Sequence, residues 1–239
     1  MKIALLGYGK MGREIEKAAL ERGHEIVLII DETNTGDMTL KNLKMADTAI
    51  DFSIPGTAFD NIMKCFDADI PVVCGTTGWL GRFDLVTERC NKENKSFFYA
   101  SNFSLGVNIL FAVNKHLARI MDRFADYNVE IKEIHHIHKV DAPSGTAISL
   151  ANDLISKIHR KTKWELARST ASDAIKIEAV REDEIPGIHV VTFDSAIDTL
   201  KISHEAKSRK GLALGALMAA EFIRDKRGCF SMSDLLQLD

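Results

Sequence analysis

The sequence predicts an α/β protein: a doubly wound parallel sheet, then a second α+β unit with a mixed sheet. Three observations predict it. Short apolar runs alternate with amphipathic stretches over the first hundred residues, as in a parallel sheet with helices on both faces. Gly7, Gly9 and Gly12 fill the turn between the first run and the first amphipathic stretch. After residue 174, three strand-like runs follow one another with only turns between them, the spacing of an antiparallel or mixed sheet.

The elements follow in order. Lys2 to Leu6 is a short apolar run, as in a buried parallel strand. Gly7-Tyr8-Gly9-Lys10-Met11-Gly12 comes next, and Met11 to Arg22 has helical spacing. In this arrangement, typical of a Rossmann-type fold, the first glycine permits a tight turn. The second lets a pyrophosphate approach the backbone, and the third lets helix and strand pack closely. A plain glycine turn is the alternative. Glu25 to Ile30 reads as a second strand with Asp31 at its end, where such a fold puts the carboxylate that holds the adenosine ribose. Residues 33–44 are polar and poorly defined. Thr48 to Phe52 reads as a third strand, and Pro55 suits the start of a helix covering Ala58 to Phe66. Pro71 to Cys74 reads as a fourth strand ending in Gly75-Thr76-Thr77-Gly78. A helix over Gly81 to Asn94 then leads to a fifth strand, Ser96 to Tyr99, ending in Ala100-Ser101-Asn102-Phe103-Ser104. Turns at the carboxyl ends of parallel strands face the ligand crevice. Leu105 to Phe124 reads as a long helix whose stripe of Leu110, Val113, Leu117, Ile120 and Met121 is core. The later strands are Ile175 to Val180, His189 to Asp194 and Thr199 to His204, with turns at Pro186-Gly187 and Ser195 to Asp198. Lys210 to Ile223 is an Ala/Leu-rich helix stopped by Gly228, and Ser231 or Ser233 starts a last short helix.

Composition excludes several classes. The 239 residues are 46% hydrophobic, enough for a sizeable core, and a net charge of -3 gives no footprint for nucleic acid. Cys65, Cys74, Cys90 and Cys229 form no Cys-x-x-Cys pair and read as reduced thiols of a cytoplasmic protein. The opening apolar run stops at Gly7, too soon for a signal peptide, and no run is long enough to span a membrane.

Chemistry concentrates in residues 129–146. Val129 and Ile131 alternate with charges, as in a strand, and lead into His135, His136, His138, Lys139 and Asp141. Pro143 ends the strand, and Ser144 or Thr146 can cap a helix running from Ala147 to Ile158. Imidazoles and an ammonium move protons or hold anions, and N–H groups at a helix start bind a carboxylate. A solvated strand edge is one alternative. A metal site of His135, His136 and His138 is less favoured, because adjacent strand residues face opposite ways and Lys139 opposes a cation. No metal is expected.

The stretch His135-His136-Ile137-His138-Lys139-Val140-Asp141-Ala142-Pro143-Ser144-Gly145-Thr146-Ala147 resembles the signature of bacterial dihydrodipicolinate (4-hydroxy-tetrahydrodipicolinate) reductases. So do Asp51-Phe52-Ser53, Gly75-Thr76-Thr77-Gly78, Asn102 through Asn108 and Ser208-Arg209, in the family's order along nearly the whole chain. The glycine loop is one residue shorter than the family's usual Gly-x-x-Gly-Arg-Met-Gly, and the segment between Asp31 and Asp47 is also short.

The resemblance implies NAD(P)H-dependent reduction of 4-hydroxy-tetrahydrodipicolinate in the diaminopimelate route to lysine. It implies a dinucleotide-binding domain over 1–106 with 209–239, and a substrate-binding domain over 107–208 whose sheet assembles a homotetramer. His135 and Lys139 are then the catalytic pair, and His136, Ser144, Gly145 and Thr146 hold substrate carboxylates. Gly7, Tyr8, Gly9, Lys10, Met11, Gly12 and Asp31 hold the cofactor, with Gly75, Thr76, Thr77, Ala100, Ser101, Asn102 and Phe103 on its nicotinamide side. Glu32, a second acid beside Asp31, leads us to expect NADH to be preferred and NADPH to be used less well. A related oxidoreductase acting on another dicarboxylate and a non-enzymatic dinucleotide sensor are the alternatives. A sensor has no use for a proton donor beside a carboxylate-binding turn.

Overall fold

A computed structural model describes residues 1–167 and 171–238; Asp239, the end of the expected dinucleotide-binding domain, lies outside them. In chain order the elements are β1 (Lys2–Leu6), α1 (Lys10–Glu21), β2 (Glu25–Ile30), α2 (Leu40–Leu43), β3 (Thr48–Asp51), α3 (Pro55–Ala68), β4 (Val72–Cys74), α4 (Phe83–Lys92), β5 (Ser96–Tyr99) and α5 (Leu105–Met121). They continue with β6 (Asn128–His135), α6 (Gly145–Ile155), β7 (Lys163–Leu166), β8 (Ala174–Arg181), β9 (Ile188–Asp194), β10 (Thr199–Glu205), α7 (Lys210–Ile223), β11 (Gly228–Phe230) and α8 (Met232–Leu236). The chain divides into two compact units, Met1–Leu105 with Arg209–Asp239, and Gly106–Ser208.

The first unit holds a six-stranded sheet in the order β11-β5-β4-β3-β1-β2, with every neighbouring pair parallel. Strand residues alternate faces with a period of two. Ala4, Leu6, Ala49, Val72, Cys74 and Phe97 pack with Ile62, Phe66 and Val86 from α3 and α4. Ile3, Leu5, Ile50, Val73 and Phe98 pack with Ile15 of α1 and Ala216, Leu217 and Ala220 of α7. Both faces are therefore buried, and the strands read as continuous apolar runs. Fully buried Phe66, Phe97 and Phe98 each contribute about 1.5–3 kcal/mol by leaving water. The strand order reverses between β1 and β3, which puts the ligand crevice at the carboxyl ends of those strands.

The second unit holds a mixed five-stranded sheet, β10-β9-β6-β8-β7. Val129, Ile131, Ile175, Ile177, Val191 and Phe193 form the buried face, packed on Leu110 and Ala118 of α5 and Leu150 and Leu154 of α6. Glu130, Lys132, Lys176, Glu178, Val190, Thr192 and Lys201 line a depression of about 410 Å³ on its other face.

Several elements differ from expectation. β8 and β9 do not form a hairpin across Pro186-Gly187: β6 lies between them, parallel to β8 and antiparallel to β9. Among the described residues only β9 and β10 pair as a hairpin, closed by the Ser195 N–H donating to the Asp198 carbonyl at 3.0 Å. Gly228 does not merely follow a helix. α7 ends at Ile223, and Gly228, at φ +122°, opens β11 beside β5. The sequence pattern does not mark β7 and β11, because charges break up Lys-Trp-Glu-Leu and a glycine opens Gly-Cys-Phe, so neither shows an apolar run. Val113 is 44% exposed, so the buried row of α5 is Val107, Leu110, Asn114, Ala118 and Met121. α5 also stops at Met121, short of Phe124, and α4 begins at Phe83 after a single 3-10 turn.

Candidate active site

In the first unit the three glycines of the β1–α1 turn do different work. Gly7 adopts φ +95°, and a Cβ there would lie 2.3 Å from the Phe52 carbonyl oxygen. A Cβ at Gly12 would lie 2.3 Å from the Gly7 carbonyl oxygen. Gly9 faces open space, with nothing within 4 Å of an added Cβ. The outer two glycines shape the turn, and the middle one leaves a bare backbone for a ligand to approach. Gly9 is also the N-cap of α1 and makes no side-chain cap bond, so the first N–H groups of that helix suit a pyrophosphate. Lys10 and Met11 are the first residues of the helix, Lys10 exposed.

Asp31 follows β2. Its Oδ1 accepts from the Thr33 N–H at 2.8 Å and from the Thr33 hydroxyl at 2.6 Å. These bonds hold its carboxyl below the usual range, with a smaller contribution from the positive charge of Arg13. Oδ2 takes neither of these bonds. The Arg13 guanidinium lies 4.5 Å from the Tyr8 ring centroid, the Tyr8 hydroxyl donates to Glu16, and Glu32 is exposed.

At the ends of β3 to β5 the structure fixes what each expected residue presents. Asp51 is fully buried and accepts from Thr76 Oγ1 at 2.5 Å, Asn61 Nδ2 at 2.7 Å and Ser53 Oγ at 3.0 Å. Burial pushes its carboxyl upward, and these bonds oppose the shift. The Thr76 side chain is therefore committed to Asp51, and its carbonyl takes the Trp79 indole N–H at 2.8 Å. Gly75 admits the Phe52 ring, which a Cβ would meet at 2.2 Å. Phe103 is a core residue, its ring centroid 5.6 Å from that of Phe52 and 5.8 Å from that of Phe98. Asn102 Oδ1 accepts from the Ser104 N–H at 2.8 Å; Ala100 is buried, while Thr77 and Ser101 are exposed.

In the second unit the two-residue period of β6 continues the buried row Val129, Ile131 into Glu133 and His135. Glu133 is completely buried and His135 is 8% exposed. His135 Nδ1 is hydrogen-bonded to Glu133 Oε2. Glu133 Oε1 accepts from Arg181 Nη2 at 3.1 Å and from the Ser144 N–H at 3.2 Å. Burial alone would raise the Glu133 carboxyl; the bonds and charges of His135 and Arg181 outweigh it and leave it lowered. His189 packs edge-on to His135 with centroids 5.1 Å apart, and burial pushes its imidazole down to about 4. Its Nε2 meets Ser144 Oγ at 3.1 Å, and Ser144 Oγ also accepts from the Ala147 N–H at 3.2 Å, so Ser144 and not Thr146 caps α6.

Beyond the strand, Lys139 Nζ donates to both Asp141 oxygens at 2.7 and 2.9 Å, which lowers the Asp141 carboxyl. Arg181 also donates to the carbonyls of Lys139 (3.3 Å) and Asp141 (2.5 Å), tying this loop to Glu133. His136 Nδ1 is enclosed without a partner among the described residues, an orphan that a bound acid group would satisfy. His138 is exposed and pairs with Glu184. Glu133, His135 and His189 offer ligand atoms within 4.8 Å of one another, as a metal site requires. The Arg181 guanidinium already on that carboxylate opposes a cation there.

Glu133, Arg181 and His189 are not singled out by the sequence pattern. Glu133 is accessible to it as the residue two before His135 on one strand face. The other two arrive only through pairing, since Arg181 is the β8 partner of His135 and His189 the β9 partner of Glu133.

Two family models match the chain: Dihydrodipicolinate reductase, N-terminus, over residues 1–103, and Dihydrodipicolinate reductase, C-terminus, over residues 106–236. A 4-hydroxy-tetrahydrodipicolinate reductase of Christiangramia forsetii is 49% identical over 236 residues, covering 99% of this chain and 98% of the relative. One from Staphylococcus aureus (strain MRSA252) is 35% identical over 246 residues, covering 99% and 100%. Among solved structures, a dipicolinate-bound dihydrodipicolinate reductase from Paenisporosarcina sp. TG-14 superposes with a TM-score of 0.80 at 22% identity, covering 98% of each chain. A probable dehydrogenase from Thermotoga maritima follows at 0.55 and 10%, covering 100% of this chain and 93% of the other.

Proposed function

The chain belongs to the dihydrodipicolinate reductase family, and from that membership we propose that it reduces 4-hydroxy-tetrahydrodipicolinate to tetrahydrodipicolinate in the diaminopimelate route to lysine. The carrying observation is the end of β6, where a buried ionised carboxylate backs His135 ahead of a carboxylate-binding turn. A nicotinamide cofactor supplies the reducing equivalent. The first unit holds it on the β1–α1 turn and Asp31. In the second unit His135 delivers the proton that reduction requires, the 4-hydroxyl leaves the substrate as water, and Lys139 compensates the negative charge that builds on the substrate. His136 and the start of α6 at Gly145-Thr146 anchor carboxylates, while the expected anchor Ser144, its N–H on Glu133 and its Oγ capping the helix, shapes that turn. Oxidation of NADH, followed by its absorbance with the cyclic substrate, tests the activity; no turnover would sink it.

Anchors and proton donors separate kinetically. His136→Ala and Thr146→Val should raise KM about 10-fold or more at nearly constant kcat, because the lost contacts serve ground and transition states alike. A pure kcat loss would contradict this assignment.

NADH is the preferred cofactor. Asp31 Oδ2 suits a ribose hydroxyl and repels a 2′-phosphate, and Glu32 adds a second negative charge. At surface-like dielectric the two acids disfavour NADPH by about one or two decades in affinity, partly offset by Arg13. Glu32→Arg should shift kcat/KM toward NADPH. Equal efficiencies in the unaltered protein would refute this.

The uncovered face of the second unit's sheet fits assembly into a homotetramer. Its Lys132–Glu178 pair at 3.2 Å and neighbouring Glu130, Lys176 and Lys201 supply both signs of charge for partner contacts. Light scattering should report a four-chain particle, and a one-chain mass would exclude it. We place the enzyme in the cytoplasm, where buried thiols such as Cys65 and Cys74 stay reduced. No helix among the described residues is long and apolar enough to cross a membrane.

A further inference from the structure

We propose that Glu133, pinned by Arg181, is the positioning residue that fixes the protonation pattern of His135. The assignment deepens the reading of His135 as proton donor and rests on it for its catalytic meaning only.

Two donors, the Arg181 Nη2–H and the Ser144 N–H, converge on Glu133 Oε1. Neither can accept, so only an acceptor oxygen fits at that corner. The carboxylate plane is thereby set, and Oε2 is turned onto His135 Nδ1. An ionised carboxylate only accepts, so the proton of this bond belongs to Nδ1. Nε2 then carries the lone pair in neutral His135 and gains its proton only as the imidazolium forms. A ring that loads and releases its proton at Nε2, with a fixed negative charge behind Nδ1, is what a general acid requires.

The surroundings agree. Gly187 lies against Nε2, where a Cβ would come within 2.9 Å, so the absence of a side chain keeps that nitrogen uncovered. His189, the other imidazole on the ring, has its pKa pushed down to about 4 by burial and is neutral near pH 7, so it does not compete as a cation. Arg181 serves twice, because the guanidinium that pins Glu133 also grips the Lys139 and Asp141 carbonyls. One half-buried cation therefore holds both members of the proposed catalytic pair in register.

Glu133→Gln is the informative change. Its amide oxygen is drawn to the Oε1 corner by the same two donors, which turns the NH2 group onto His135 Nδ1. That nitrogen must then accept, and neutral His135 switches to the Nε2–H tautomer, a poor acid.

Nitrogen-15 NMR of histidine-labelled protein reads the tautomer directly, with the His135 signals assigned by their loss in His135→Asn. We expect Nδ1 of the unaltered protein to be protonated across the accessible pH range and never pyridine-like. In Glu133→Gln it should become pyridine-like, with kcat about 10²–10⁴-fold lower, KM within threefold and the melting temperature little changed. A pyridine-like Nδ1 in the unaltered protein overturns the proposal whether or not the variant folds. So does a folded Glu133→Gln with the original tautomer or near-normal kcat. If Nδ1 is protonated as expected but His135→Ala keeps its kcat, the proton-donor reading fails and the positioning by Glu133 stands.

Discussion

His135→Ala is expected to lower kcat about 10²–10⁴-fold, the usual worth of a positioned general acid. Cofactor affinity should stay within about twofold, because the groups proposed to bind cofactor belong to the first unit and His135 to the second. The loss should appear equally in kcat and kcat/KM, the mark of an interaction made only in the transition state. Removing the ring also leaves Glu133 Oε2 buried without its donor, which is costly even though Arg181 and the Ser144 N–H stay on Oε1. His135→Asn provides the control, since its amide can still donate toward Glu133 while lacking a titrating nitrogen. If either variant turns over at near the original kcat, His135 is not the donor, and Lys139 becomes the candidate.

The second large effect is expected at Gly7. An alanine there takes on φ +95°, a left-handed conformation costly for any residue with a Cβ, and places that carbon 2.3 Å from the Phe52 carbonyl oxygen. Backbone cannot yield as a side-chain tip does, so β1 and β3 must part at the switch point of the sheet. The combined cost is about 2–5 kcal/mol, a large part of the ~5–15 kcal/mol that holds most domains folded. Thermal melting should fall by roughly 5–15 °C. Gly9→Ala is the contrast, because its Cβ meets nothing within 4 Å. That variant should melt near the original temperature yet bind NADH more weakly, since the added methyl occupies the approach to the bare backbone. Melting of Gly7→Ala at the original temperature would show that the turn is not built as described.

Most of the first unit is legible in the sequence because its local signals agree with its tertiary setting. β2 and α7 fall at the expected residues, and each strand of the parallel sheet is apolar on both faces because helices cover both. Gly-x-Gly-x-x-Gly is readable from the chain alone, since the demands it meets are backbone demands of one turn. Its division of labour is not, because the atoms that forbid a Cβ at Gly7 belong to Phe52 and Ser53, far along the chain. Thr76 and Phe103 show the same limit. Their place beside the crevice follows from strand order, but the Thr76 side chain goes to a buried Asp51 and the Phe103 ring to the core.

By itself the sequence determined the fold class, the family and the cluster from His135 to Thr146, all written in contiguous residues whose spacing carries the meaning. Tertiary structure alone decided how that cluster is held. Arg181 and His189 reach it by strand pairing, from positions 46 and 54 residues beyond His135, and β6 had to insert between β8 and β9 for both to arrive. No local propensity encodes that insertion, because β8-turn-β9 reads as a hairpin when its third strand is out of view. The physical reason is the sheet's own hydrogen bonding. Pairing along a strand is blind to sequence separation, so the neighbours that set a side chain's charge and tautomer are chosen by register across the sheet.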